Sequence, residues 1–179
     1  SSLSYLIQNS TNPIIITGAQ KPISMEITDA KTNLLDSLRF AAYPDAHGVT
    51  IVFNGKIIAG TRAKKVHSKS FNAFDSINFP VLATIRNNKI VHYVKDSCPC
   101  SYPAFYSDIN PKVCLVKLIP GMEPDLLPWI GEHYDAVIIE SYGVGGLPSA
   151  PDRDFLKVVD KLIADGKIGV MTTQVMYEG

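Results

Sequence analysis

Residues 13–18, Pro-Ile-Ile-Ile-Thr-Gly, limit the folds open to this chain more than any other stretch. A strand with one wet face alternates apolar and polar side chains. A short run that stays apolar and stops at glycine reads instead as a strand buried on both faces of a parallel sheet. Residues 49–53 (Val-Thr-Ile-Val-Phe) form a second strand rich in β-branched side chains. Between them a helix begins near Thr28-Asp29, a good N-cap pair, with Leu34, Leu35 and Leu38 expected as its inner stripe. Strand, helix and parallel strand make a βαβ unit. The expected class is α/β: a three-layer open parallel sheet with flanking helices, followed by a smaller α/β domain.

That second domain announces itself by the return of the same pattern. Residues 71–90 alternate weakly, and a short strand is expected at 89–93. Residues 95–111 carry Pro99, Pro103 and Pro111 and show little periodicity. Then come a strand at 113–118, a helix near 124–130, a strand at 136–139, a glycine loop at 143–146, a helix at 152–164 and a strand at 168–171. The chain therefore divides into residues 1–95, a linker at 96–111 and the smaller domain at 112–179. Leu3, Leu6 and Ile7, at helical spacing, read as the tail of a helix, and residues 177–179 follow directly on a strand expected to be buried. Both domains thus read as incomplete, the first lacking its beginning and the second its end.

The 179 residues hold 17 basic and 17 acidic side chains, a formal net charge of zero. Coating nucleic acid or an anionic membrane rewards an excess of positive charge, so neither is expected as a partner. Hydrophobic residues make up 46 %, too many for a disordered chain, yet no apolar run approaches a membrane span. No signal-peptide pattern is read, and three cysteines (Cys98, Cys100, Cys114) give no disulfide framework. A reducing, cytoplasmic setting is the simpler expectation. Cys98-Pro99-Cys100 by itself falls short of a four-ligand set, which His92 and Cys114 complete only if the fold brings them in, and no metal is expected.

Several residues have chemistry worth weighing. Residues 60–68 gather Arg62, Lys64, Lys65 and His67 after a turn at Asn54-Gly55. Alone they read as a solvated basic loop, or as a loop with one lysine facing a pocket. Ala19 and Gln20 follow the C-terminal end of a parallel strand, where open α/β sheets place ligands, although an ordinary strand-to-helix turn has the same look. Asp29 reads as a helix cap and loop brace, and Asn33 as a loop anchor inside the helix. Gly143, Gly145 and Gly146 depart from the dinucleotide fingerprint and read as a tight turn between domains or subunits. His67 is read as holding its loop; His47, His92 and His133 stand isolated.

Taken in order, Thr17-Gly18-Ala19-Gln20, Asp29 with Asn33-Leu34-Leu35, Gly60-Thr61-Arg62 with Lys65 and His67, Phe74-Asp75-Ser76, and Ser141-Tyr142-Gly143-Val144-Gly145 resemble the bacterial-type L-asparaginases. The likeness covers essentially the whole chain and looks nearest to the cytoplasmic type I branch. It implies a larger catalytic α/β domain linked to a smaller one in a homodimer or homotetramer. It also implies hydrolysis of L-asparagine to L-aspartate and ammonia without a cofactor. In that family a threonine attacks the side-chain amide to give an acyl-enzyme, and a second threonine, an aspartate and a lysine handle protons. The Gly-Gly-Thr and Gly-Thr-Asp-Thr segments that carry both threonines and the aspartate do not occur here. Lys65, three residues after Arg62, matches the lysine and is the catalytic residue the resemblance implies.

A threonine hydroxyl needs a proton acceptor beside it, and a lysine serves when burial or neighbouring positive charge lowers its pKa. Arg62 and Lys64 are near in sequence. The resemblance also implies substrate contact or site shaping for Ala19 and Gln20, loop support from Asp29, Asn33, Arg62 and His67, and an inter-subunit loop at Gly143, Gly145 and Gly146. Gly146 stands where the family usually has an asparagine. Glu140, Lys64 and Val175 replace an arginine, a threonine and a cysteine of the type I allosteric site, so no such asparagine site is expected. Two alternatives remain: the related subunit of the archaeal tRNA-dependent glutamine amidotransferase, and a non-catalytic structural module.

Overall fold

The computed structural model describes residues 1–95, 101–151 and 153–178, in two compact units, Ser1–Asp108 and Ile109–Gly179. Cys98, Pro99 and Cys100, with the rest of the first third of the expected linker, lie outside the described residues.

The first unit opens with α1 (Leu3–Leu6) and β1 (Ile7–Gln8), so Ile7 belongs to a strand and not to the helix tail expected of it. β2 (Pro13–Ile16) leads through α2 (Ala30–Ala41) to β3 (Gly48–Phe53), and β2 and β3 pair in parallel, Ile14 against Val49. From β3 onward the sheet is antiparallel, which corrects the expectation of an open parallel sheet to a mixed one. The cause is turn chemistry. Asn54 and Gly55 both take positive φ, 49° and 68°, the conformation that closes a two-residue hairpin, and β4 (Lys56–Ala59) folds straight back on β3. The basic stretch after it is only partly a loop: β5 (Ala63–Lys65) pairs with β6 (Phe74–Ser76). A second hairpin turn at Asn87-Asn88 joins β7 (Ala83–Arg86) to β8 (Lys89–His92), and β9 (Ala104–Phe105) pairs with β1. The main sheet runs β2-β3-β4-β7-β8. All four residues of β2 are half-buried, not buried on both faces, because β2 is the edge of that sheet.

One face of the sheet packs under α2, where Phe40 meets Val52, Ile57, Ala83 and Ile85. On the other face Ile51 and Phe53 pack with Ala73, Ala63 and Phe74 of the β5–β6 hairpin. The expected inner stripe of α2 is wrong. Leu34, Leu35 and Leu38 are 48 %, 47 % and 60 % exposed, while Asn33, Asp36, Ser37 and Phe40 are buried. At about 100° per residue these two sets lie on opposite sides of the helix. The polar set fixes the phase: Asn33 is tied to the strand ends, Ser37 donates to the Asn33 carbonyl at 2.7 Å, and Asp36 pairs with Arg39 at 3.1 Å.

The second unit is built on β10 (Val113–Lys117), α3 (Leu126–His133), β11 (Ala136–Ser141), a short β12–β13 hairpin (Ser149–Ala150 and Arg153–Asp154), α4 (Phe155–Ala164) and β14 (Ile168–Thr173). Its sheet is parallel in the order β10-β11-β14. Val116, Leu118, Val137 and Ile139 face Leu127, Ile130, Phe155 and Leu162 from the two helices. Gly131 permits that packing, since a Cβ there would run into Leu162. The strand expected to be buried, β14, has five of its six residues exposed. It is an edge strand, and the face bearing Val113, Leu115, Ile168 and Val170 is open to solvent.

Candidate functional site

At the C-terminal end of β2 the chain must leave a parallel strand and turn toward α2, which leaves backbone N–H groups without ladder partners. Asp29 takes two of them. Its carboxylate accepts the N–H of Gln20 through both oxygens at 3.0 Å and that of Lys21 at 3.1 Å. The Asn33 amide donates to the same carboxylate at 3.2 Å and to the Gly18 carbonyl at 2.9 Å, while its oxygen accepts the Asn54 N–H at 2.9 Å. Asn33 thus ties the end of β2 to the β3–β4 turn. Burial, the largest single influence, pushes the Asp29 carboxyl up, but the N–H groups of Gln20, Lys21 and Asp29 itself and the Asn33 amide together outweigh it and hold the carboxyl below its ordinary value. Asp29 makes no side-chain cap to α2; the Thr28 hydroxyl accepts the Ala30 N–H instead.

This brace presents Ala19 and Gln20 at the strand end, and it brings Gln20 to Lys65. Lys65 Nζ donates to Gln20 Oε1 at 3.0 Å, and Gln20 Nε2 donates to the Ser70 carbonyl at 3.0 Å. His67 Nδ1 lies 2.7 Å from the Asn72 carbonyl; a carbonyl only accepts, so Nδ1 carries the proton there. Asn72 in turn contacts Asn54 at 3.4 Å. Gly60 makes the approach to β5 possible, because a Cβ would meet the Val49 carbonyl at 2.8 Å.

Other named residues fall elsewhere. The Arg62 guanidinium sits over the Phe79 ring, 5.4 Å from its centroid. Lys64 and Lys65 are successive residues of β5, and side chains alternate across a strand, so Lys64 presents its charge on the opposite face. Neither charge is aimed at Lys65. The glycine loop belongs to the second unit, where the N–H groups of Gly145 and Gly146 both reach the Tyr142 carbonyl at 2.9 Å and Gly143 and Gly145 take positive φ. Gln174 braces that strand end by donating to the carbonyls of Leu118 and Glu140. Cavities of about 410 and 420 Å³ lie by His47 and Thr50 at the start of β3, and neither is lined by Lys65 or Gln20. Among the described residues no group of three or more His, Cys, Asp and Glu could hold a metal ion.

The family described as "Asparaginase, N-terminal" matches residues 1–97, and "Glutaminase/Asparaginase C-terminal domain" matches residues 112–179. The chain belongs to the asparaginase family. The L-asparaginase of Thermococcus kodakarensis is 36 % identical over 181 residues, which take in 100 % of this chain and 54 % of the relative. Its solved structure superposes with a TM-score of 0.92 over 98 % of this chain and 53 % of that one. L-asparaginase 1 of Escherichia coli is 31 % identical, covering 98 % of this chain and 52 % of the relative. A glutamyl-tRNA(Gln) amidotransferase subunit of Methanosphaera stadtmanae is 32 % identical, covering 99 % and 42 %. The chain spans about half the length, or less, of these relatives. Among the described residues no helix is long and apolar enough to cross a membrane.

Reading the sequence alone missed Ser70, Asn54 and Asn72 as members of the brace. The contacts that Gln20 and His67 make here are to the backbone carbonyls of Ser70 and Asn72, which leave no side-chain signature.

Proposed function

We propose that this chain supplies part of an L-asparaginase of the cytoplasmic type I kind, which hydrolyses L-asparagine to L-aspartate and ammonia through a threonine nucleophile and an acyl-enzyme. Residues 1–95 belong to its catalytic domain, 96–111 to the linker and 112–179 to its smaller domain. The observation that carries the reading is the position of Lys65, set beside Gln20 at the end of a parallel strand in the middle of a family match that runs the length of the chain.

Lys65 is the proton-handling lysine in this reading, Ala19 and Gln20 shape the substrate end, and Asp29, Asn33, Arg62 and His67 support the loops. Gly143, Gly145 and Gly146 form a loop directed at a neighbouring subunit of a homodimer or homotetramer. Neither threonine segment is in this chain, so the chain by itself is inactive: a lysine does not replace a positioned nucleophile. Ammonia release from L-asparagine by the protein isolated from its source, read with its intact mass, tests the proposal. A source protein of 19.6 kDa with no companion chain bearing the threonines, and no ammonia release, sinks it.

The second reading is an amidotransferase subunit, favoured by the 32 % identity to the Methanosphaera stadtmanae protein over nearly the whole chain. Co-purification with a tRNA-binding partner would put it first. Asparagine and glutamine differ by one methylene, worth only about 1–3 kcal/mol in an apolar pocket, so the preference for asparagine rests on the family likeness.

A further inference from the structure

We propose that Gln20 is a positioning residue whose carboxamide couples the orientation of Lys65 to the closure of the turn at residues 66–73. The proposal deepens the reading of Lys65 given above and concerns the resting geometry of that lysine.

A carboxamide has one acceptor end and one donor end, and the two partners here require opposite ends. The Lys65 ammonium only donates and meets Oε1 at 3.0 Å; the Ser70 carbonyl only accepts and meets Nε2 at 3.0 Å. Flipping the amide would set NH₂ against ammonium and oxygen against oxygen, so the pair of contacts fixes its direction. The root of the side chain is fixed as well, since Asp29 holds the Gln20 N–H with both oxygens and Asn33 holds Asp29.

The far partner is a turn with its own internal order. The Asn72 N–H donates to the Ser70 hydroxyl at 3.1 Å, His67 Nδ1 donates to the Asn72 carbonyl at 2.7 Å, and the N–H groups of Val66 and His67 both reach the Ala73 carbonyl. Lys21, next to Gln20, carries its ammonium 5.8 Å from the centroid of the Phe71 ring. The turn is therefore stitched within itself and attached to the β2 end by Gln20 and Lys21. Lys65 leads directly into it. Movement of the turn pulls on the Ser70 contact, which reorients the carboxamide and frees the ammonium.

Side-chain ¹⁵N–¹H spectra of lysine-labelled protein, recorded cold and mildly acidic so that ammonium exchange is slow, read this directly. Lys65→Arg identifies the Lys65 signal by removing it. In the unaltered chain the Lys65 ammonium is expected to exchange with water more slowly than that of exposed Lys31, and the amides at residues 66–73 to be protected. Gln20→Leu removes both contacts, and both effects are lost. Gln20→Glu keeps the acceptor and removes the donor, so it restores the slow Lys65 exchange while the turn stays unprotected. An unchanged Lys65 signal in Gln20→Leu, or turn protection that survives in Gln20→Glu, overturns the proposal. Neither readout requires asparagine hydrolysis, so an inactive chain still decides the role of Gln20 separately from the enzymatic reading.

Discussion

Asp29 accepts the backbone N–H of Gln20 through both carboxylate oxygens at 3.0 Å, and this contact joins the first residue before α2 to the turn that ends β2. The chain between them, residues 21–28, is thereby pinned at both ends. The contact is charge-assisted, and a group of this kind is worth about 1.5–3 kcal/mol. Asp29→Asn turns an acceptor-only carboxylate into an amide whose NH₂ end faces backbone donors, and is expected to lower stability at neutral pH by roughly that amount. Urea unfolding of the two proteins measures it.

The same carboxylate gives a pH dependence of definite sign. Its folded-state value lies below the ordinary 3.8, so the unfolded chain binds its proton first as acid is added. The stabilisation is complete well above 3.8 and is lost as pH falls through the folded value. The stability gap between the unaltered chain and Asp29→Asn is therefore expected to be constant near neutrality and to shrink in acid below that value. A gap that widens in acid contradicts the assignment.

Helix α2 offers a contrast between two of its own residues. Phe40 is 4 % exposed and packs on Val52, whereas Leu38 is 60 % exposed. Phe40→Ala is expected to cost about 3–5 kcal/mol, and Leu38→Gln to stay within about 0.5 kcal/mol. Equilibrium unfolding of both variants of this chain decides which face of α2 is inside.

That contrast also shows where sequence reading reaches its limit. The strands at 13–18, 49–53, 113–118, 136–139 and 168–171 were legible because parallel-sheet strands are apolar runs, and α2 because its start is signalled at Thr28-Asp29. The phase of α2 was not legible. Leucine at three positions outweighed Asn33, Asp36 and Ser37, and it is the Asn33 bonds to the Gly18 carbonyl and the Asn54 N–H, with Ser37 and Asp36 bonded within the helix, that mark the polar side as the inner one. The strands β6 and β7 were missed because each is short and its partner is set by Asn87-Asn88 and by the β5 hairpin, not by any periodicity of its own. Of the candidate site, the sequence singles out Lys65, Gln20, Asp29 and Asn33 one by one. That Gln20 touches Lys65, 45 residues away, is a property of the fold alone.

In the second unit, Asp154 caps α4, accepting the Lys157 N–H at 3.1 Å. Asp154→Ala leaves that donor without its partner and is expected to cost about 1 kcal/mol. A drop in thermal midpoint restored by Asp154→Ser checks the capping role against a general loss of charge.

Lys65 and Lys64 are neighbours on β5 whose side chains leave opposite faces of the strand. The decisive measurement is the steady-state rate of ammonia release from L-asparagine by the intact source protein and by its Lys65→Met and Lys64→Met variants. Proton transfer by a positioned side chain is worth about 10²–10⁴-fold, so Lys65→Met is expected to lose activity on that scale, with Lys64→Met close to the unaltered protein because its side chain leaves the opposite face of β5. Full activity in Lys65→Met, or an equal loss in Lys64→Met, contradicts the proposed proton-handling role of Lys65.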